Sequence, residues 1–473
     1  MGLTKLNTPL HISLILALIV IINIFRFYQL DAIPYGFHVD EASSVVGLSC
    51  LATEGTGPWG QEKPFFMHMG YGTPKPPVYL WIALPWAKVF GFTIESLRLL
   101  SVTVVTVGII GLFCWVRLIA GLLGACYAAL AMSFSPWIWV TSRIAFESLF
   151  ALVFMIWGLF FLWRRRWWLD SVLAGLLLTA AMYAYPAARL FIPMMLTGVF
   201  FYFRWGKLKP LNSIFFVSLI LPLLPLIQGI LSGELQSRFN EISITAASFW
   251  QQKGEPVSAL GIIQEFIKNC WLHVSPAFLL FKGDPSYVHS TLTVGIFSWF
   301  DLLALAMLVI SVVRDKAFLK AHTLLIVFCL VNILLAMVPS ALTNEEIPHA
   351  VRTSLGLPFL ALLVGFSLNE AVKTIRNIPW VNLGVAVIFA GVFLHTYFSV
   401  YPQQSKGMFA FWVKEQAVRL KTDEDWLKFM VFNHKLDYHV RYYLMHQKNQ
   451  SCSQSYTTWK SVGDLMQKMG ANP

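Results

Sequence analysis

Long apolar runs, separated by short polar or basic connections, fill the chain from residue 10 to residue 400. A helix that crosses a bilayer needs about 20 mostly apolar residues. Eleven stretches meet or approach that length: 10–28, 99–118, 121–139, 147–163, 168–185, 188–204, 211–231, 291–313, 321–339, 351–369 and 379–400. The pattern predicts an all-α polytopic membrane protein with about 11 transmembrane helices. The first run, Ile12–Phe27 behind Lys5, resembles a secretory signal. Its apolar part is long and no A-x-A-like site follows, so an uncleaved signal anchor is expected.

The connections supply an orientation. Arg164-Arg165-Arg166, Arg204/Lys207/Lys209, Arg314/Lys316/Lys320 and Lys373/Arg376 all stand in short links, and such clusters mark the cytoplasmic side. Counting Pro76–Phe90 (PPVYLWIALPWAKVF) as a further span would put the arginine triplet on the opposite side from Lys5. That stretch is also short, opens on two prolines and is broken by Pro85 and Lys88. It is therefore expected to be a juxtamembrane or re-entrant helix on the outer face. The N-terminus then lies inside and the C-terminus outside. The non-cytoplasmic regions are 29–98 (first outer loop), the turn 139–147, 232–290 (third outer loop), 340–350 and the tail 401–473. The tail interleaves aromatic residues with Lys and Asp over Trp426–Tyr443, which predicts a small folded extracytoplasmic cap rather than disorder. Residues 1–400 form the transmembrane domain and 401–473 this C-terminal domain.

Composition agrees with that picture. Of 473 residues 57% are hydrophobic and 12% charged, against roughly 25% charged in soluble proteins. The formal charge of +11 sits largely in the short links, so it reads as a topology signal, with no nucleic acid implied. Six cysteines form no CxxC or Cys/His metal spacing. Cys114, Cys126 and Cys329 lie in apolar segments, and Cys50, Cys270 and Cys452 outside them. A Cys50–Cys270 bridge is open, with free thiols the expectation.

All the longer loops fall on one face, which suits chemistry at the outer membrane surface better than a pump or channel. No internal repeat supports an inverted-repeat transporter, and no G-x-S-x-G, H-E-x-x-H, P-loop or G-x-G-x-x-G signature is present. Candidate chemistry gathers on that face. Asp40-Glu41 follows the first span by about a dozen residues, and an ionisable pair there is a functional-site candidate. The same loop carries Lys63, His68 and Lys75 among glycines and prolines. Arg143 and Glu147 are four apart and are expected to share a helix face, as an anchoring ion pair or as part of a site. Arg189, beside Tyr183 and Tyr185, begins a span on the outer side, either as a snorkelling residue or as part of a sugar or lipid-phosphate pocket. Asp284 and His289 lie in the third outer loop, and His349 and Arg352, three apart, at the next membrane entrance. A cation at that entrance suits a lipid-borne phosphate.

HVDEA after the first span, PPVYLWIALPW, SPW…SRIAFES, SPAFLLFKGDPSYVHS and EEIPHAVR…LP resemble, in matching order over residues 10–370, bacterial members of the protein O-mannosyltransferase and aminoarabinose-transferase superfamily. These are membrane-embedded glycosyltransferases of the GT-C class. The resemblance implies transfer of one sugar from a polyprenyl-phosphate donor to an acceptor hydroxyl of a protein, lipid or glycan. It places the reaction on the outer face of a plasma (inner) membrane, where a single displacement inverts the anomeric centre. It makes Asp40 the catalytic base, Glu41 its support or an acceptor contact, and Glu147 the second-loop acidic residue. Mannosyltransferases carry an aspartate there within L-D-P and an M-I-R-type insert in the third loop; this chain has neither, which leaves the acceptor open. Glu62-Lys63-Pro64 matches the E-K-P of the aminoarabinose transferases, so Lys63 is a candidate phosphate ligand, with Arg143, Arg189 and Arg352 as further cations and Tyr185, Asp284, His289 and His349 as donor-site residues. Related enzymes differ in whether a divalent metal ion bridges their carboxylates; where one does, Asp40 and Glu147 are the matching ligands. The alternative is a transporter or flippase for lipid-linked glycans, which would line a path through the spans with cations.

Overall fold

The computed structural model describes residues 8–61, 66–67, 74–233, 235, 237–375 and 377–468. Among them the secondary structure is helical, without a strand. Seven helices among the described residues are long and apolar enough to cross a membrane, and two more, Ser148–Arg164 and Trp168–Ala184, are apolar but shorter. The chain divides into two compact units. The first comprises 1–28, 103–141 and 147–397, and the second 29–102, 142–146 and 398–473.

The first unit holds the apolar helices. The runs expected at 99–118 and 121–139 are one helical stretch, Ile94–Ser133, broken at Gly121 in the left-handed region (φ 75°), followed by a short helix Pro136–Ser142. The run expected at 211–231 is divided by Pro222 and Pro225 into Ser213–Ile220, a 3₁₀ turn and Leu224–Leu231. The run expected from 291 becomes helical only at Trp299. Ser298 caps it there: its Oγ accepts from Asp301 N–H at 3.1 Å, and Asp301 Oδ2 accepts from Ser298 N–H at 2.8 Å, a reciprocal cap legible as S-x-x-D. Two helices cross closely where Gly365 faces Gly124. A Cβ at Gly365 would stand 2.3 Å from the Gly124 carbonyl oxygen, the small-residue contact that membrane helices use in place of a hydrophobic driving force.

The second unit joins the first outer loop to the tail. Its helices are Val39–Thr53 and Pro77–Phe90 from the loop, and Phe411–Ala417, Asp423–Phe432, Asp437–Gln447 and Cys452–Lys468 from the tail. Val45, Val46, Leu48, Tyr79, Tyr438, Val440 and Leu444 are buried in it. The tail is thus folded, and it shares its unit with residues 29–102. The free-thiol expectation fails for Cys50: it is disulfide-bonded to Cys452, while Cys270 remains free. Spacing pointed elsewhere because the partners lie 402 residues apart in sequence.

Candidate functional site

Asp40 occupies the first turn of the helix Val39–Thr53. His38, in extended backbone, caps that helix, its Nδ1 accepting from Asp40 N–H at 3.3 Å. Carboxylates are stabilised at this end by the exposed N–H groups. Asp40 Oδ2 lies 3.4 Å from His38 Nδ1, and Oδ1 lies 3.4 Å from Lys75 Nζ. Lys75 is buried, whereas the Asp40 side chain is 44% exposed. Burial opposes its ionisation, but the Lys75 charge and the His38 contact outweigh it and hold the carboxyl below the ordinary carboxylate range. Burial likewise opposes a charge on His38, and the hydrogen bond and charge of Asp40, with Glu41 behind it, more than offset this and raise the imidazole pKa. The result is an ionised carboxylate, open on one side, on a rigid helix start.

Glu41 has the opposite surroundings. It is fully enclosed. Arg98 donates to both of its oxygens, Nε to Oε1 at 2.7 Å and Nη2 to Oε2 at 2.9 Å. The N–H groups of His38 and Ala145 also donate to it, at 2.9 and 3.3 Å. Arg98 further holds the carbonyls of Leu30, Pro34 and Gly36. Gly36 sits at φ +78°, and a Cβ there would meet the Phe409 carbonyl at 2.2 Å, so only glycine fits. His439 from the tail donates from Nε2 to the Phe37 carbonyl at 3.0 Å and stacks on the Phe37 ring; burial lowers its pKa to about 4. Glu41 therefore fastens the turn that carries Asp40.

Arg143 and Glu147 do not share a helix: the helix Pro136–Ser142 ends before the one and Ser148–Arg164 begins after the other. The local-pair expectation assumed a helix that the chain interrupts between them. Arg143 is fully buried and donates to the carbonyls of Gln29 and Ile33, with its guanidinium over Phe398. Glu147 is half-buried ahead of its helix. Asp40 and Glu147 belong to different units.

In the first unit, the third outer loop and residues 340–350 bring together Asp284, His289 and His349. Asp284 is fully buried; its Oδ1 accepts from Ser286 N–H at 2.9 Å and its Oδ2 from Ala350 N–H at 2.6 Å. The Nδ1 atoms of His289 and His349 stand 3.3 and 3.6 Å from Oδ2, and the two rings stack with centroids 4.5 Å apart. Burial, then the neighbouring His289, Arg352 and His273, press the His349 pKa well below its ordinary value. His349 and Arg352 diverge. Arg352 donates to Thr343 Oγ1, the Glu345 carbonyl and the Glu345 carboxylate.

Arg189 lies in the first turn of the helix Pro186–Trp205, just after Tyr185, and donates to the Met182 carbonyl at 3.3 Å. Lys63 and His68 lie outside the described residues. Sequence reasoning missed the roles of His38, Arg98 and His439. His38 stood inside the quoted HVDEA stretch, where a polar residue ahead of an acidic first turn is a cap signal; Arg98 and His439 act across 57 and 402 residues and leave no local mark.

Residues 74–229, a third of the chain, match the model of the family described as dolichyl-phosphate-mannose-protein mannosyltransferase. No curated protein sequence matches the chain. Among solved structures, the oligosaccharyltransferase of Archaeoglobus fulgidus in complex with Zn and sulfate is 13% identical, with a TM-score of 0.50, over 88% of this chain and 55% of that one. The archaeal oligosaccharyltransferase AglB from the same organism, with an inhibitory peptide and a dolichol-phosphate, is 12% identical over 91% and 59% (TM-score 0.49). ArnT from Cupriavidus metallidurans, bound to undecaprenyl phosphate, is 14% identical over 94% and 75% (TM-score 0.46). The chain thus spans little more than half the length of the archaeal enzymes, and it shares with the zinc complex its helical fold.

Proposed function

We propose that this chain is a membrane glycosyltransferase that moves a sugar from a polyprenyl-phosphate donor to an acceptor hydroxyl, on a protein, lipid or glycan, at the non-cytoplasmic face of the plasma (inner) membrane. The observation that carries the reading is Asp40: an ionised, partly open carboxylate held on a helix start by His38 and Lys75. In the proposed reaction the acceptor hydroxyl loses its proton to Asp40 as its oxygen bonds the anomeric carbon. The bond from that carbon to the phosphate oxygen breaks, and polyprenyl phosphate leaves with the electron pair. One displacement inverts the anomeric centre.

The leaving group needs charge stabilisation more than protonation. Lys63 and Arg189 are the proposed donor-phosphate cations, while Glu41, Arg98 and Arg143 position the loop. The side of the reaction is supported by the disulfide Cys50–Cys452 in the same unit as Asp40, because disulfides persist in oxidising compartments.

Purified protein incubated with a panel of polyprenyl-phosphate sugars should consume one donor and release polyprenyl phosphate. Asp40→Asn should lower that rate by about 10²–10⁴-fold, the range of a general base, with expression unchanged. Full activity in the variant would remove Asp40 from the mechanism, and no turnover of any donor by the wild type would sink the assignment.

A further inference from the structure

Asp284, His289 and His349 cluster around one buried imidazole nitrogen, that of His349, whose place hydrogen bonding does not account for. His349 is 5% exposed, and its Nδ1 makes no hydrogen bond among the described residues; the Asp284 oxygen it faces, 3.6 Å away, is beyond hydrogen-bond reach. A buried imidazole nitrogen left in this way calls for a partner. His289 Nδ1 faces the same oxygen at 3.3 Å. Ligands bound tetrahedrally at about 2.0–2.1 Å to one ion lie about 3.4 Å apart, close to both values. The three donor atoms fall within 4.8 Å of one another.

We propose that Asp284, His289 and His349 bind one first-row divalent cation, zinc by preference, with Glu346 closing the site. Two imidazoles and a carboxylate are the donor set of zinc rather than of magnesium or calcium. The surroundings are those of a metal site with fixed outer partners. Ser286 and Ala350 N–H groups hold the carboxylate, and His349 N–H donates to His273 Nε2 at 3.2 Å. Glu346 Oε2 stands 3.8 Å from His289 Nδ1, on a side chain 42% exposed, so a rotamer change brings it to the fourth position. The ion would clamp the turn around Asp284 to the segment ahead of Ala350. This inference does not depend on glycosyl transfer, and its ligand set does not include Asp40.

The test uses full-length protein in detergent, stripped with a chelator, dialysed against zinc, and assayed by elemental analysis, with cobalt(II) replacing zinc for a d–d absorption band. Wild type should retain a single ion per chain and show the band of a low-symmetry nitrogen–oxygen site. His349→Gln and His289→Gln should each weaken zinc binding by about 100-fold or more, since even outer partners cost 10–100-fold. Glu346→Gln should weaken it less, and Asp40→Asn not at all. Size-exclusion and circular dichroism check folding, and either histidine variant suffices if the other misfolds. Sub-stoichiometric zinc in the wild type, wild-type affinity in a folded histidine variant, or loss of zinc in Asp40→Asn would each overturn the proposal, whatever the outcome of the donor panel.

Discussion

Asp40 and Glu41 are adjacent carboxylates with opposite surroundings, and helix geometry is the reason. Successive positions in a first turn point about 100° apart, so one side chain stays 44% exposed while the other is fully enclosed beside Arg98. The sequence shows the pair but not which member turns inward, because Arg98 comes from another helix. A buried ion pair contributes little net stability, yet removing one partner strands a charge and costs about 3–5 kcal/mol. Arg98→Met should therefore destabilise the protein by that amount in denaturant unfolding, and Glu41→Gln in the same background should recover part of the loss. Equal stability of Arg98→Met and wild type would mean that Glu41 is not held as a buried carboxylate. Asp40→Asn, by contrast, should alter turnover with little effect on unfolding.

Helices were legible wherever an apolar run ended at a strong signal, and displaced where it did not. The basic residues Arg164, Arg204 and Arg314 close their helices as expected, and Gly121 divides a stretch that hydropathy alone reads as two spans. The start at 291 was misplaced because Thr291–Phe297 is apolar enough to extend the run, whereas the Ser298–Asp301 cap decides where it begins. The least legible contact between elements is the bond from Cys50 in the helix Val39–Thr53 to Cys452 at the start of the last helix. It complements Arg441, which donates to the Pro58 carbonyl, and Trp59, which donates to Tyr438. Losing a native disulfide typically costs about 2–5 kcal/mol. Cys452→Ser should make the tail helices more sensitive to limited proteolysis under native conditions, and reductant should do the same to the wild type but not to the variant. Peptide mapping without reduction should recover Cys50 and Cys452 in one linked fragment.

The orientation of the whole chain rests on two kinds of evidence that do not share an assumption. One is the placement of basic residues at alternate helix ends, a signal written in composition. The other is the disulfide, a chemical bond whose persistence depends on compartment. Both support the proposed placement of residues 29–102 and the tail on the non-cytoplasmic side. The site on that side was less legible than the fold, because its contacts join residues hundreds of positions apart, whereas spans are local. The one ambiguous segment was Pro77–Phe90. At 14 residues with Pro85 inside, it rises about 21 Å at 1.5 Å per residue, short of a hydrocarbon core of about 30 Å. If it nevertheless crossed the membrane, every later connection would change sides. Single cysteines placed at two exposed positions, Arg166→Cys and Glu415→Cys, in a Cys270→Ser background, distinguish these topologies. In intact cells a membrane-impermeant maleimide should label position 415 and leave 166 unlabelled until the membrane is opened. Labelling at 166 but not 415 would place the tail in the cytoplasm, and with it residues 29–102, which the Cys50–Cys452 bond ties to the tail; the proposed donor chemistry at Asp40 would then have to be abandoned.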